Sequence, residues 1–334
     1  MSENNLSIAF PSGTCTKVCL DFLRFKHSLG QKFEGSDIYR LRYICQRMNH
    51  AVEDTPVLSK DTVLNIAQRR DGEAQGTQLN RIRILRQLAE YMVSMDMEAY
   101  ILPGHFTQKY MYDFRPYIFS REQITDILDA ADRMEYSLRS PYMHMVMPAI
   151  LRVFFGCGLR SSEARQLKLC NVDLTAGVLT VEKSKNRVSR YVPMAASLTA
   201  YMQRYADAIG FSFNTDNNAY FFPSPSGGVI HETTLRERFR AILLQAGVSA
   251  SDDRAFPRIH DMRHTFFVRS YARMTGELGL DLYTAMPIIA AYAGHTNIKD
   301  TERYIHLPEF DYTNITAAGA PFVDACVPEV TFDV

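Results

Sequence analysis

Arginine, histidine and tyrosine concentrate in three short segments, each suited to handling a phosphate. In Gly158-Leu159-Arg160-Ser161-Ser162-Glu163, an apolar stretch (Leu151–Phe155) gives way to a helical run. Ser161 and Ser162 are natural helix caps, which places Arg160 near a helix N-terminus, where unpaired N–H groups and the helix dipole favour an anion. Glu163 lies three residues on and is able to hold the Arg160 guanidinium by a bidentate contact; the plainer alternative is a surface ion pair. In His260-Asp261-Met262-Arg263-His264, which follows Pro257, the three-residue spacing sets His260 and Arg263 on one helical face. Together they suit a phosphate oxygen and a mobile proton; the alternative is a DNA-contacting or merely capped helix start. In the third segment Gly294 permits a tight backbone before His295, and Asp300 or Thr301 can cap a helix carrying Tyr304 in its first turn. A phenol is a weak nucleophile at its reference pKa of about 10. It becomes effective when cations surround it and a base lies within reach. The chain has 18 tyrosines, so only its neighbours in the motif single out Tyr304.

In order, the chain offers Gly158-Leu159-Arg160 with Glu163, a lysine in a hairpin loop, His260 with Arg263 and His264, then Gly294-His295 and a tyrosine nine residues later. This pattern resembles the tyrosine recombinase (phage integrase) family. The resemblance runs along essentially the whole chain and is strongest over 115–307. It rests most on Pro257 through Phe266 and on Gly294 through His306. It implies a mainly α fold with a small antiparallel sheet, in which a helical core-DNA-binding bundle and a catalytic domain form a C-clamp around DNA. It also implies that Tyr304 attacks the scissile phosphodiester, forming a 3′-phosphotyrosyl link and freeing a 5′-hydroxyl. Arg160, Arg263 and His295 would bind the non-bridging oxygens, with Glu163 supporting them. The leaving oxygen needs a proton, and a lysine can lose one where an arginine cannot. Lys185 is preferred for this role over Lys183, two residues away on the same side of the strand. His260 is expected to accept or relay the tyrosine proton.

The resemblance calls for no metal and no nucleotide cofactor, since arginine, lysine and histidine supply the charge and the phosphotyrosine conserves the bond energy. The implied partner is double-stranded DNA at specific recombination sites. The expected assembly is a homotetramer on DNA, and a monomer or weak oligomer away from it. The tail after His306, with Pro308, Phe310, Phe322 and Val323, is expected to dock on a neighbouring subunit or on its own. Little chain precedes the helical region, which argues against a separate arm-site-binding domain. A mobile-element integrase is favoured over a chromosome- or plasmid-resolving recombinase. A type IB topoisomerase and a non-catalytic DNA-binding accessory protein are more distant alternatives.

The elements that must position these groups are legible in outline. Residues from about 14 to 102 read as helical: Val18, Phe22, Phe25 and Leu29 recur at helical spacing with Gly30 as a stop. Ile38, Leu41, Ile44, Cys45 and Met48 repeat the pattern, as do Ile82, Leu85, Leu88, Ala89 and Met92. The expected organisation is a helical core-DNA-binding domain over 12–103, a linker over 104–116 and a catalytic domain with its tail over 117–334. Ser120 and Gln123 fit a capping box. Two β-rich runs, Gly177–Lys183 and Arg190–Pro193, flank a short polar loop and predict a hairpin. In the helix beginning near Gly76, Thr77, Asn80, Arg81 and Arg83 are expected to face DNA, while Ile82, Leu85 and Met92 face the bundle; a solvated basic helix is the alternative.

Composition bounds the rest. The 334 residues are 46% hydrophobic and 22% charged, with a formal net charge of zero. No apolar run approaches the roughly 18 residues that span a bilayer, and the N-terminus lacks a secretory pattern, so a cytosolic, DNA-associated protein is expected. Neutrality conceals separate basic clusters: Arg69, Arg70, Arg81, Arg83 and Arg86; Lys183, Lys185, Arg187 and Arg190; Arg254, Arg258, Arg263, Arg269 and Arg273. Separated patches can bind phosphate on a neutral molecule. Six scattered cysteines (Cys15, Cys19, Cys45, Cys157, Cys170, Cys326) are expected to be reduced and mostly buried rather than metal ligands.

Overall fold

A computed structural model of the chain describes residues 10–31, 33–52, 54–106, 116–182, 189–211, 216–250 and 256–294. Lys183, Lys185, His295, Tyr304 and the tail lie outside the described residues. The chain divides into two units, Met1–Asp113 and Phe114–Val334.

Among its described residues the first unit holds four α-helices: α1 (Thr16–Ser28), α2 (Ser36–Asn49), α3 (Lys60–Ala67) and α4 (Gln75–Ser94). In α2 the apolar residues at helical spacing, Ile38, Leu41, Ile44, Cys45 and Met48, are all buried, as one stripe of an amphipathic helix must be. The same holds in α4 for Ile82, Leu85, Leu88, Ala89 and Met92. In α1 the stripe differs from expectation. Val18 and Phe22 are buried, but Phe25 and Leu29 are exposed. The inward face instead runs through Cys19, Phe22, Leu23 and Lys26, because α2 and α4 pack on that side. Phe25 sits at the rim beside Tyr91, ring centroids 5.2 Å apart, and Leu29 caps the helix after its last turn. Cys15, Cys19, Cys45 and Cys157 are free and buried. Burial pushes the Cys15 thiol up to about 11 and Cys157 up to about 12, which keeps both as unreactive thiols at neutral pH.

The second unit contains α5 (Arg121–Asp132), α6 (Met143–Cys157), α7 (Ser161–Arg165), α8 (Ala196–Ile209), α9 (Glu232–Gln245), α10 (Ile259–Gly276) and α11 (Leu282–Ala293). Among the described residues between α7 and α8 lie three short strands, β1 (Val172–Asp173), β2 (Val178–Val181) and β3 (Arg190–Pro193). The Ser120–Gln123 capping box is present at the start of α5. Helix α6 is apolar almost all round, with Val146, Met147, Ile150, Leu151, Val153 and Phe154 buried. Such a helix belongs in the middle of a core, and α5, α8 and α10 pack around it. Each of its large side chains contributes about 1.5–3 kcal/mol by leaving water.

The strands form one antiparallel sheet in the order β1-β2-β3. The expected hairpin is β2–β3, in register with Leu179 opposite Val192 and Val181 opposite Arg190. Side chains alternate as a one-sided sheet requires: Leu179, Val181 and Val192 are buried while Tyr191 faces out. The register therefore carries Arg190 to the end of the sheet beside Val181. Among the described residues no helix is long and apolar enough to cross a membrane.

Candidate active site

The site is assembled where α6, α7, α10, α11 and β3 meet. Helix α6 ends at Gly158, whose backbone is left-handed at φ 59°. That conformation favours glycine, and a Cβ there would strike the ring of Phe266 on α10. The close approach brings α10 against the turn that leads into α7. Arg160 itself is the N-cap of α7, so the cap falls one residue earlier than the Ser161–Ser162 pair suggests. The turn is closed from the other side, since the Arg160 N–H donates to Glu163 Oε2 at 2.9 Å.

Glu163 is the centre of the cluster. The Arg160 guanidinium donates to its Oε1 at 2.7 Å through one nitrogen. The bidentate contact expected for that pair is made instead by Arg190, which donates to Oε1 at 3.0 Å and to Oε2 at 2.8 Å. Arg263 approaches Oε2 at 3.9 Å. Burial alone would raise the Glu163 carboxyl, but hydrogen bonds and charge from Arg190 and Arg160 outweigh it and hold the group at about 2. It is an anion at any physiological pH.

The arginines are fixed a second time by the end of α11. Arg263 donates to Ala293 O at 2.9 Å and also to Gly158 O. Arg160 donates to Gly294 O at 3.3 Å, and Arg190 donates through Nε to Tyr292 O at 2.9 Å. Gly294 ends the helix in left-handed backbone at φ 65°. Its missing side chain also leaves room for Arg190, whose Nη1 would stand 3.2 Å from a Cβ there. The negative end of the helix dipole thus faces three cations. Arg263 also lies over the Phe267 ring at 4.7 Å.

Among the described residues three guanidiniums meet one carboxylate, so positive charge is in excess in a largely buried space. Arg263 is 1% exposed, whereas the Arg160 side chain keeps 17%. His260, one turn before Arg263 on α10 as its spacing requires, keeps contact with solvent and stands 4.7 Å from His264 in an edge-to-face arrangement. Crowding by the surrounding chain, then the charges of Arg263, Arg258 and Arg160, push the His260 imidazole down to about 4. Its exposure lets solvent screen part of that repulsion. The ring is neutral at pH 7 and able to accept a proton. Clustered guanidiniums suit an anion, and a neutral imidazole beside them is able to take a proton. Among the described residues no group of three or more His, Cys, Asp or Glu is placed to hold a metal.

Comparison with known proteins agrees. The phage integrase family model matches residues 118–309, more than half of the chain. The chain belongs to the phage integrase family. It is a tyrosine recombinase, an enzyme that transfers DNA strands. It is similar to a putative integrase/recombinase, y4rB, of Sinorhizobium fredii, at 32% identity over 258 residues, covering 75% of this chain and 81% of that one. Two solved structures share the recombinase fold. The Tn1549 transposon integrase in complex with transposon right end DNA matches at TM-score 0.61 and 17% identity over 91% of this chain and 99% of that one. The XerH site-specific recombinase bound to a palindromic difH substrate matches at 0.60 and 17% over 85% and 78%.

Of the recombinase residues expected from sequence, Arg160, Glu163, His260 and Arg263 are brought together. Lys185, Lys183, His295 and Tyr304 fall outside the described residues. Arg190 was expected only as part of a basic cluster and a strand start. A signal for more existed: an arginine directly after the hairpin loop, at the first position of a strand.

The helix expected to meet DNA requires a correction. Arg81 does not face outward; it is 2% exposed. It donates to Ile66 O at 2.9 Å, to Gln68 O at 2.8 Å and to both carboxylate oxygens of Glu73. The reason is helical geometry: Arg81 shares a face with Leu85, Leu88 and Met92, which line the core. Thr77 and Asn80 are exposed, and Asn80 donates to Gly76 O at 2.9 Å. Arg83 is also exposed and pairs with Asp37 at 3.0 Å. The Arg81–Glu73 clamp lies beneath a loop bearing exposed Arg69 and Arg70. Arg69 donates to Glu73 O at 2.8 Å, and the Arg70 guanidinium stacks 3.8 Å above the Tyr43 ring.

Proposed function

We propose that this recombinase is the integrase of a mobile genetic element, cutting and rejoining DNA at specific sites through Tyr304. The observation that carries the reading is the convergence of Arg160 and Arg263 on Glu163 and on the carbonyls ending α11. His295 is the next residue in the sequence after that end, and Tyr304 follows nine residues later. In this reading Arg160, Arg263 and His295 hold the non-bridging oxygens of the scissile phosphate. Tyr304 attacks the phosphorus as the 5′-oxygen leaves, giving the 3′-phosphotyrosyl link. Lys185 protonates the leaving oxygen. The neutral His260 ring receives the phenol proton, and rejoining reverses each step.

The family resemblance to integrases of the y4rB kind and to a transposon integrase favours a mobile element over a chromosome-resolving role. Exchange between two duplexes needs four strand cuts, and one active site per cut makes the working assembly a homotetramer on DNA. The helical unit supplies the remaining grip: Arg69 and Arg70 on the clamped loop, with Thr77, Asn80 and Arg83 along the outer face of α4, meet phosphates and groove edges.

The test uses nicked suicide duplexes carrying candidate element ends or chromosomal resolution sites. The wild-type chain should become covalently joined to element ends, and Tyr304→Phe should not. No adduct on any duplex, or an adduct that survives Tyr304→Phe, overturns the nucleophile assignment. Adducts confined to resolution sites overturn the mobile-element role.

A further inference from the structure

Arg190 has a place in the site that none of the expected phosphate ligands has. All three nitrogens of its guanidinium have protein acceptors: Nε reaches Tyr292 O at 2.9 Å, Nη1 reaches Glu163 Oε1 at 3.0 Å and Nη2 reaches Glu163 Oε2 at 2.8 Å. Its side chain is 9% exposed. The acceptors belong to two elements, α7 and the last turn of α11, and the side chain comes from a third, the start of β3. The pairing of Val181 with Arg190 fixes that start in the sheet. Gly294 leaves room for the fork, since a Cβ there would stand 3.2 Å from Nη1. The planar fork of an arginine can meet these three acceptors together, while a lysine amine is a single point on a flexible stem.

We propose that Arg190 is a positioning residue for strand cleavage: it sets the distance between Glu163, which orients Arg160, and the end of α11, from which the chain runs on to His295. The proposal rests on the catalytic reading given above. Arg190 itself does not touch the phosphate. Without the fork, Glu163 is free to swing, Arg160 follows it, and the Gly294 carbonyl loses its place relative to both. The phosphate ligands remain in the chain but no longer match the transition state, and misplacement of about 1 Å is enough to cost roughly 100-fold in rate.

The experiment compares Arg190→Lys and Arg190→Met with wild type, Lys185→Ala and Tyr304→Phe, all as full-length protein. Thermal unfolding and DNA binding are measured beside the single-turnover rate of covalent adduct formation on nicked suicide duplexes. Both Arg190 variants should remain folded, bind DNA as wild type does, and cleave more slowly by on the order of 100-fold. Lysine should restore no more than methionine. A second substrate carries sulfur in place of the bridging 5′-oxygen, so that its leaving group needs no proton. That substrate should rescue Lys185→Ala and leave both Arg190 variants slow. Arg190→Lys cleaving at the wild-type rate overturns the proposal, because charge alone then suffices. Rescue by the sulfur substrate overturns it in favour of a role in leaving-group protonation. A loss of DNA binding as large as the loss of cleavage overturns it in favour of a phosphate contact. Failure of wild type to form an adduct, or persistence of the adduct in Tyr304→Phe, strikes instead at the catalytic reading on which it depends.

Discussion

Each unit of the molecule buries a glutamate against arginine, and the two clusters differ in their charge balance. In the helical unit Glu73 meets the buried guanidinium of Arg81, whose remaining donors go to the Ile66 and Gln68 carbonyls. Arg81 is the guanidinium hydrogen-bonded to this carboxylate, with Arg70 adding its backbone N–H and charge from the exposed side, and the result is a clamp under a loop. In the second unit Glu163 faces Arg160, Arg190 and Arg263. Carbonyls at the end of α11 orient all three but carry no net charge, so among the described residues the cations around Glu163 outnumber the carboxylate they share. A buried arginine near a carboxylate is therefore not in itself a sign of function. The excess of cations over anions is what separates a binding pocket from a brace.

Three changes bear on this contrast, beginning with the largest effect. Arg160→Ala should reduce adduct formation by roughly 10³–10⁵-fold, as expected for a cation at a phosphoryl-transfer centre, in a chain that still unfolds cooperatively. The same loss of rate in folded Arg81→Ala at saturating DNA would erase the distinction between the two clusters. Next, Arg81→Ala strands the buried Glu73 and should lower stability by about 3–5 kcal/mol, read as a drop in the urea midpoint of the helical unit. A midpoint unchanged from wild type would mean the clamp contributes nothing. Last comes acid. The Glu163 carboxyl is held at about 2 against an ordinary 4.5, so its stabilisation is fully present above 4.5 and is lost as pH falls toward 2. One such group is worth about 3 kcal/mol over that window. Denaturation followed from pH 5 to pH 2 should show that loss in wild type and a shallower slope in Glu163→Gln, with equal slopes refuting the assignment.

Local features were open to reading from the chain. The stripe of α2, the Ser120–Gln123 cap, the β2–β3 hairpin and the spacing of His260 and Arg263 all depend on residues a few positions apart, where helix and strand periods decide the outcome. Arg81 is legible in the chain: its spacing to Leu85, Leu88 and Met92 places it on the buried face, against the outward position that its charge suggests. The exposure of Phe25 was less accessible, since it depends on which flank of α1 receives α2 and α4. Arg190 was beyond local reading altogether. Its acceptors Glu163 and Tyr292 lie far away on either side in the chain, and only the fold makes them neighbours. The choice between Glu163 holding Arg160 alone and holding Arg190 by both oxygens is settled by packing, for which spacing gives no rule.

The last turn of α11 carries one further consequence. Since Tyr292, Ala293 and Gly294 each give a carbonyl to a different arginine, the three side chains share a single support and are expected to act as one thermodynamic unit. Losing the first should weaken the hold on the others, so that a second or third substitution adds little. Epistasis of that kind makes the pocket hard to alter stepwise: a lineage that gives up one of these arginines meets little resistance to losing the rest.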